Sequence, residues 1–170
     1  VPMYGYVANE SASTTLNHLA GVLRFLVQCG EGVENTTLKS MVVEVNHGSI
    51  AGNFDVDCAN GGTLTAHADA TNTVTVSFGD DLALSTTATP IYVAVPAGEY
   101  GVVKITLYTD KGYCDATFDT TGKAIAAGVV REFPAFEYKN EANDTFLIYD
   151  EASLRNFATR VNNKEANFDN

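Results

Sequence analysis

The chain alternates apolar and polar residues over short segments, a pattern that predicts β-strands. Val74, Val76 and Phe78 recur at every second position, so they lie on one face of a strand. The alternating segments end at Gly, Asn, Asp or Pro, residues that favour turns. Many short strands separated by such turns predict an all-β fold, an antiparallel Greek-key β-sandwich.

The predicted strands share this local signal and cover residues 21–29, 38–45, 50–58, 63–68, 73–78, 91–95, 102–107 and 113–118. The segments 91–95 and 102–107 flank a stretch that contains Pro96, Gly98 and Gly101. We predict that they pair as an antiparallel hairpin at the centre of a sheet. We also predict that the turn at 46–49 returns the chain into a strand beside 38–45.

The pattern changes near the end of the chain. Residues 146–149 predict a last strand, and Asp150 is a good helix N-cap because its carboxylate accepts backbone amides. Apolar residues then fall at helical spacing, which predicts a short amphipathic helix over 151–161. The chain therefore divides into an extended N-terminal linker (1–14), a β-sandwich domain (15–145) and a strand-helix connector to a downstream region (146–170).

The charge of the chain limits its partners. The 170 residues carry a formal net charge of −11 at pH 7. Such a charge argues against nucleic acids and anionic membrane surfaces, which are bound through basic patches. Since the chain also lacks an apolar stretch of about 18 residues, we expect no transmembrane segment in it.

The sequence contains no motif that selects a catalytic or metal site. Asp55-Val56-Asp57 begins like a calcium loop, but Ala59 and Ala66 stand where that loop needs oxygen ligands. No nucleophile elbow or phosphate-binding loop is present. We therefore expect a protein that is not an enzyme and that has no cofactor and no metal ion.

The three cysteines, Cys29, Cys58 and Cys114, are widely spaced. Their odd number excludes a complete disulfide framework, so at most one intramolecular bridge forms. Which of them pair, if any do, is left open by the sequence.

The tyrosines near the predicted central hairpin are the candidate ligand contacts. They are Tyr92, Tyr100, Tyr108 and Tyr113. On an outward face their rings could stack on sugars, whereas on an inward face they would belong to the core, with their hydroxyls bonded to the protein. Both readings remain open at this point.

Several segments together carry a resemblance to a known family. They are Val1-Pro2-Met3-Tyr4-Gly5, Leu23-Arg24-Phe25, Leu38-Lys39-Ser40-Met41, Ile50-Ala51-Gly52-Asn53-Phe54, residues 91–100, Ile105-Thr106-Leu107-Tyr108 and Ala126-Ala127-Gly128. These segments resemble the fimbrillin-like (Mfa-like or FimA-like) cell-surface family, whose domains have a transthyretin-like sandwich. The resemblance covers roughly residues 1–138 and implies the second of two β-sandwich domains. It also implies export to the outer membrane of a Gram-negative bacterium, as a lipoprotein or a fimbrial component.

The resemblance implies a partner as well as a location. Polymerising members of the family complete a neighbour's sheet with a terminal strand. In this chain, Tyr4, Tyr6 and Val7 would supply that donor strand. The segment 154–162 instead resembles the entry to a parallel β-helix, a departure that favours an adhesin-like module within a longer protein.

Three functions follow as expectations. The first is an adhesin-like surface module whose partner is a host or microbial surface protein or glycan. The second is a fimbrial subunit that assembles with other subunits by strand exchange, and the third is a carbohydrate-binding module.

Overall fold

The computed structural model describes residues 1–7, 13–139, 154–155 and 157–158. Almost all of the regular structure in these residues is β-strand, as the alternating pattern predicts. The strands, in chain order, are β1 (Met3–Tyr4), β2 (Asn17–His18), β3 (Ala20–Cys29), β4 (Thr37–Val45), β5 (Phe54–Asp57), β6 (Thr63–Ala66), β7 (Thr73–Ala83), β8 (Thr89–Pro96), β9 (Val102–Thr109), β10 (Gly112–Asp119), β11 (Val130–Glu132) and β12 (Phe136–Tyr138).

Sheet A contains four antiparallel strands in the order β10-β9-β4-β7. Its central strand β4 shows why the sequence forms a half-buried sheet: Met41, Val43 and Val45 are fully buried, while the alternate Glu44 is exposed. A register shift between Leu38 and Ser40 interrupts the pairing of β4 with both of its neighbours.

Sheet B is built on β3, which pairs with β8 on one side and with β11 and β12 on the other. The pairing with β8 is antiparallel, but β11 and β12 run parallel to β3. This edge differs from the all-antiparallel prediction because the chain reaches it by a crossover from sheet A rather than by a hairpin. Pro134, which has no amide hydrogen to donate, lies in the gap between β11 and β12.

The two sheets share one hydrophobic core, which confirms the β-sandwich. Phe25 of β3 stacks on Phe133 at a centroid distance of 4.8 Å, and Phe133 lies 4.8 Å from Phe118 of β10. Because Phe118 belongs to sheet A and Phe25 to sheet B, these rings join the sheets across the core.

The predicted hairpin of residues 91–95 and 102–107 is wrong, although both strands exist. β8 pairs with β3 in sheet B, and β9 pairs with β4 and β10 in sheet A. The buried Tyr100 holds the link between them, since its hydroxyl donates to the carbonyl of Pro96 over 2.5 Å. Gly101, at φ 63°, has the Asn46 side chain against it, so a side chain at this corner would be both strained and crowded.

The strand predicted at 50–58 does not pair with β4. Ile50 and Ala51 donate to the carbonyl of Thr71, and β5 then forms a separate antiparallel ribbon with β6. All residues of β5 except the half-buried Phe54 are exposed, so this strand has no buried face with which to join sheet A. β7 takes that position beside β4 instead.

The predicted strand at 146–149 lies outside the described residues. Of the predicted helix at 151–161, only Leu154, Arg155, Phe157 and Ala158 are described, and they are helical. The helix as a whole therefore remains a prediction. No helix in the described part of the chain is long and apolar enough to cross a membrane.

Candidate functional site

A groove runs along one open side of the sandwich, where β10 of sheet A faces β12 of sheet B. We call it the edge groove. It has a volume of about 530 Å³ and is lined by Gln28, Tyr113, Cys114, Asp115, Ala135, Phe136, Glu137 and Lys139. Its lining combines aromatic rings with charged and amide groups.

Strand alternation sets which side chains enter this groove. Tyr113 and Asp115 point away from the core of sheet A, while Cys114 between them packs against the core. On the opposite wall, Phe136 of β12 also packs against the core, and the following Glu137 is exposed. The groove therefore has an apolar floor and polar rims.

The polar groups at the rims are already connected to one another. Gln28 Nε2 donates to Glu137 Oε1 over 2.8 Å, and Glu137 Oε2 lies 3.8 Å from Lys139 Nζ. Asp115 Oδ2 lies 2.7 Å from Lys104 Nζ. The hydrogen bond and the charge of Asp115 raise the pKa of Lys104 above its ordinary value. These contacts place amide and carboxylate groups beside the aromatic rings.

Two of the predicted tyrosines lie side by side, and one of them, Tyr113, lines this groove. Tyr108 and Tyr113 are directly opposite each other on β9 and β10, and their ring centroids are 6.3 Å apart with an interplanar angle of 32°. Both are half-buried on the outer side of sheet A.

We call the outer side of sheet A the hydroxyl face, because most of its residues carry a hydroxyl group. Its cross-strand rows are Tyr113, Tyr108, Ser40 and Ser77; Asp115, Thr106, Val42 and Thr75; and Thr117, Lys104, Glu44 and Thr73.

Tyr92 lies on the opposite side of the molecule. It is 57% exposed on the outer side of sheet B, where the guanidinium carbon of Arg24 lies 5.8 Å from its ring centroid. Arg24 also forms an ion pair with Glu132. We call this outer surface the apolar face, because most of its residues are apolar. The residues of the apolar face are Val22, Arg24, Leu26, Pro90, Tyr92, Ala94, Val130 and Glu132.

Tyr100 lies in the core, which corrects the prediction that it is a candidate glycan contact. It is 3% exposed, and burial raises the pKa of its phenol to about 12. Its hydroxyl bonds Pro96 at the corner between the sheets, a structural role similar to the tyrosine corner of other sandwiches. The four tyrosines therefore do not form one surface.

The candidate donor strand lies outside both main sheets. Met3 and Tyr4 form β1, whose partner among the described strands is β2, and Tyr6 and Val7 are 53% and 46% exposed. The Tyr4 ring packs directly against Gly62 in the turn between β5 and β6. This N-terminal arm is therefore held to the rest of the chain by a few local contacts.

Within the residues that the structure describes, the acidic loops and the histidines do not assemble a metal site. In the described part of the chain, no group of three or more His, Cys, Asp or Glu side chains lies close enough to hold a metal ion. Asp57 accepts from the side-chain amide and the backbone amide of Asn60, which lowers the pKa of its carboxyl. His67 Nε2 lies 3.0 Å from Asp55 Oδ1 across the β5–β6 ribbon.

No disulfide joins the three cysteines, all of which lie in the described part of the chain. Cys29 is buried in β3, and Cys58 and Cys114 are half-buried. The sequence left open which cysteines pair, and in this conformation none of the three is joined to another.

Sequence reasoning missed the sheet B wall of the edge groove. Gln28, Phe136 and Glu137 come from strands that are distant in sequence from β10 and from each other. Phe136-Glu137-Tyr138 after Pro134 does carry a short apolar-polar-apolar alternation, which could have indicated the last strand. No local signal indicates that this strand faces Tyr113.

No protein-family model matches the chain, and no curated protein matches it. The resemblance to the fimbrillin-like family therefore stays a prediction from the sequence motifs.

Proposed function

We propose that this chain is a non-enzymatic, adhesin-like module of an exported surface protein, belonging to a fimbrillin-like outer-membrane lipoprotein of a Gram-negative bacterium. The observation that carries the proposal is the edge groove, which combines Tyr113 and Phe136 with the polar groups of Asp115 and Glu137. Concave surfaces with aromatic walls and a few oriented polar groups are typical of binding sites. The groove gives the domain a means of holding a ligand without any chemical step.

The charge of the chain agrees with this proposal. A net charge of −11 keeps the exposed domain soluble and repels nucleic acids and anionic membranes. The partner then approaches through short-range contacts at a defined site rather than through long-range attraction to an anionic surface.

An adhesion assay tests this function. Beads coated with the chain should bind host epithelial or bacterial cells more strongly than beads coated with serum albumin. Glu137→Lys, at the exposed rim of the groove, should reduce the number of bound beads, whereas Thr75→Lys on the hydroxyl face should not. Equal binding by the chain and by albumin across the cells tested would reject the proposal.

A second candidate, strand exchange between fimbrial subunits, is favoured by the N-terminal arm. In the part of the chain that the structure describes, Tyr4, Tyr6 and Val7 belong to neither main sheet, and β10 forms one edge of sheet A. An added strand could hydrogen-bond to such an edge.

Hydrogen–deuterium exchange measured at increasing protein concentration tests this candidate. Strand exchange should protect the amides of β10 at high concentration, and deletion of residues 1–7 should remove that protection. Exchange of β10 that does not depend on concentration would count against assembly through this edge.

A further inference from the structure

The edge groove has the size of a small-ligand site and an unusual mixture of walls. Its volume of about 530 Å³ lies within the range of roughly 300–1,000 Å³ that small-molecule pockets occupy. Tyr113 and Phe136 supply flat apolar surfaces on its two sides, and Gln28, Asp115 and Glu137 supply donors and acceptors. A matching ligand has apolar faces as well as several hydroxyl groups.

Tyr113 extends this site out of the groove. It lines the groove and also lies beside Tyr108, with ring centroids 6.3 Å apart and planes inclined by 32°. The two rings form a shallow platform on the outer side of sheet A. A ring-shaped ligand unit could cover Tyr113 while the next unit covers Tyr108, which favours a short chain of linked rings over one compact molecule.

The polar groups favour a neutral ligand. Glu137 and Asp115 are carboxylates, and each already has a cation nearby, Lys139 at 3.8 Å and Lys104 at 2.7 Å. A further anion would meet two carboxylates in a chain of net charge −11. Carboxylate oxygens accept hydrogen bonds and an amide both donates and accepts, so neighbouring hydroxyl groups can satisfy both kinds of partner.

A peptide strand fits the same walls less well. Strand addition takes its affinity from backbone hydrogen bonds and its specificity from pockets for alternate side chains. In the edge groove, Gln28 and Glu137 are hydrogen-bonded to each other at the rim, so a peptide side chain that entered between them would break this bond, whereas sugar hydroxyls can bond the oxygens of both groups without breaking it.

We propose that the edge groove and the Tyr108–Tyr113 platform bind a neutral oligosaccharide, whose apolar ring faces stack on the tyrosines and whose hydroxyls bond Gln28, Asp115 and Glu137. This inference rests on the proposed adhesin-like function, for which it names the ligand class. The site orients the sugar and carries out no reaction on it.

Saturation-transfer NMR on the full chain tests the proposal. The probes are neutral hexose and N-acetylhexosamine oligosaccharides, a sulfated oligosaccharide and a synthetic peptide of residues 1–7. Saturation should pass to the ring protons of at least one neutral oligosaccharide. Loss of ring stacking in Tyr113→Ala should weaken its binding by about tenfold or more. Tyr92→Ala, a matched change on the opposite side of the molecule, should leave it unchanged.

Glu137→Gln separates a binding role from a structural one. It keeps the size of an exposed side chain, so its melting temperature should equal that of the wild type while saccharide affinity falls several-fold. The proposal is overturned if no neutral oligosaccharide binds, if the sulfated one binds more tightly, or if Tyr92→Ala weakens binding as much as Tyr113→Ala. Binding of the peptide alone would also overturn it, in favour of strand addition.

The same saccharide separates this proposal from the adhesin-like function. If coated beads adhere to cells and the oligosaccharide does not compete, the function stands and the ligand class is wrong. If the oligosaccharide binds in solution but the beads do not adhere, the site is supported and the adhesive function fails.

Discussion

The two outer faces of the sandwich are built from strands with the same alternation, yet they differ in chemistry. Most residues of the hydroxyl face carry the hydroxyl of a Tyr, Ser or Thr side chain, and its ion pair joins Lys104 to Asp115. The apolar face instead exposes Val130 at 54% and Tyr92 at 57%, around the ion pair of Arg24 and Glu132.

In both sheets the inward apolar residues specify the strand, while the outward residues remain available for other purposes. Burial of one side is enough to hold a strand in a sheet, so the other side is less constrained. On sheet A the outward residues provide polar groups and a tyrosine pair next to the edge groove. On sheet B they form a mostly apolar surface around Tyr92, and the outward residues Gln28 and Glu137 reach the groove.

The largest loss of stability should come from a change in the core, on which both faces depend. Phe25→Ala should lower the free energy of unfolding by about 3–5 kcal/mol, since it removes a buried ring that contacts Phe133 and Phe118. The outward neighbour Leu26 provides the control, and Leu26→Ala should cost clearly less. Urea denaturation of the two variants measures both values. Equal losses would show that the outer side of sheet B is packed as tightly as the inner side.

The corner between the sheets should give the next largest effect. Folding raises the pKa of the Tyr100 phenol from 10.0 to about 12, so the neutral form stabilises the folded state. This stability is fully present below pH 10 and is lost as the pH rises to 12, by roughly 2–3 kcal/mol.

Denaturation measured between pH 9 and 12 tests this expectation. Tyr100→Phe should lose the hydrogen bond to Pro96 at neutral pH and should flatten the alkaline decline. An equally steep decline in Tyr100→Phe would assign it to other groups.

The ion pairs of the two faces allow a direct comparison. Double-mutant cycles for Lys104 with Asp115 and for Arg24 with Glu132 should each give a coupling of about 0.2–1 kcal/mol, as for partly exposed pairs. We expect the larger value on the apolar face, because the Arg24 side chain is 35% exposed whereas that of Lys104 is 45% exposed.

Salt and pH should change the two coupling energies. Both couplings should fall in 1 M salt. Since its contact with Asp115 raises the pKa of Lys104, the coupling on the hydroxyl face is present below the unfolded-state pKa near 10.5 and decreases above it. Couplings that do not respond to salt would contradict the assignment of both pairs as solvent-exposed.

The smallest effect concerns the surfaces themselves. Val130→Lys should shorten retention in hydrophobic interaction chromatography more than Thr75→Lys does, because only the first change removes an exposed apolar side chain. Both variants should stay within about 0.5 kcal/mol of the wild-type stability, as exposed positions usually do. Equal shifts in retention would mean that the two faces bind the hydrophobic resin equally well.

The sequence predicts the candidate site only in part. Tyr108 and Tyr113 are close in sequence and directly opposite each other across the β9–β10 hairpin, so their proximity follows from local pairing. Tyr100 is also a tyrosine near the predicted hairpin, but it is buried because Pro96 and Gly101 form a corner between the sheets. Phe136 and Glu137 reach the groove only through a crossover that residue patterns do not encode.

By itself, the sequence determined that this chain forms short strands and which residues of the clearly alternating strands face inward. The alternation of Val74, Val76 and Phe78 is a local property, because neighbouring side chains of a strand point to opposite sides whatever the partner. Only the tertiary structure decided that β8 and β9 belong to different sheets and that β12 runs parallel to β3 beside the groove. Strand partners are chosen by backbone hydrogen bonds between distant segments, and every strand offers the same donors and acceptors, so the packing of the whole core selects among them.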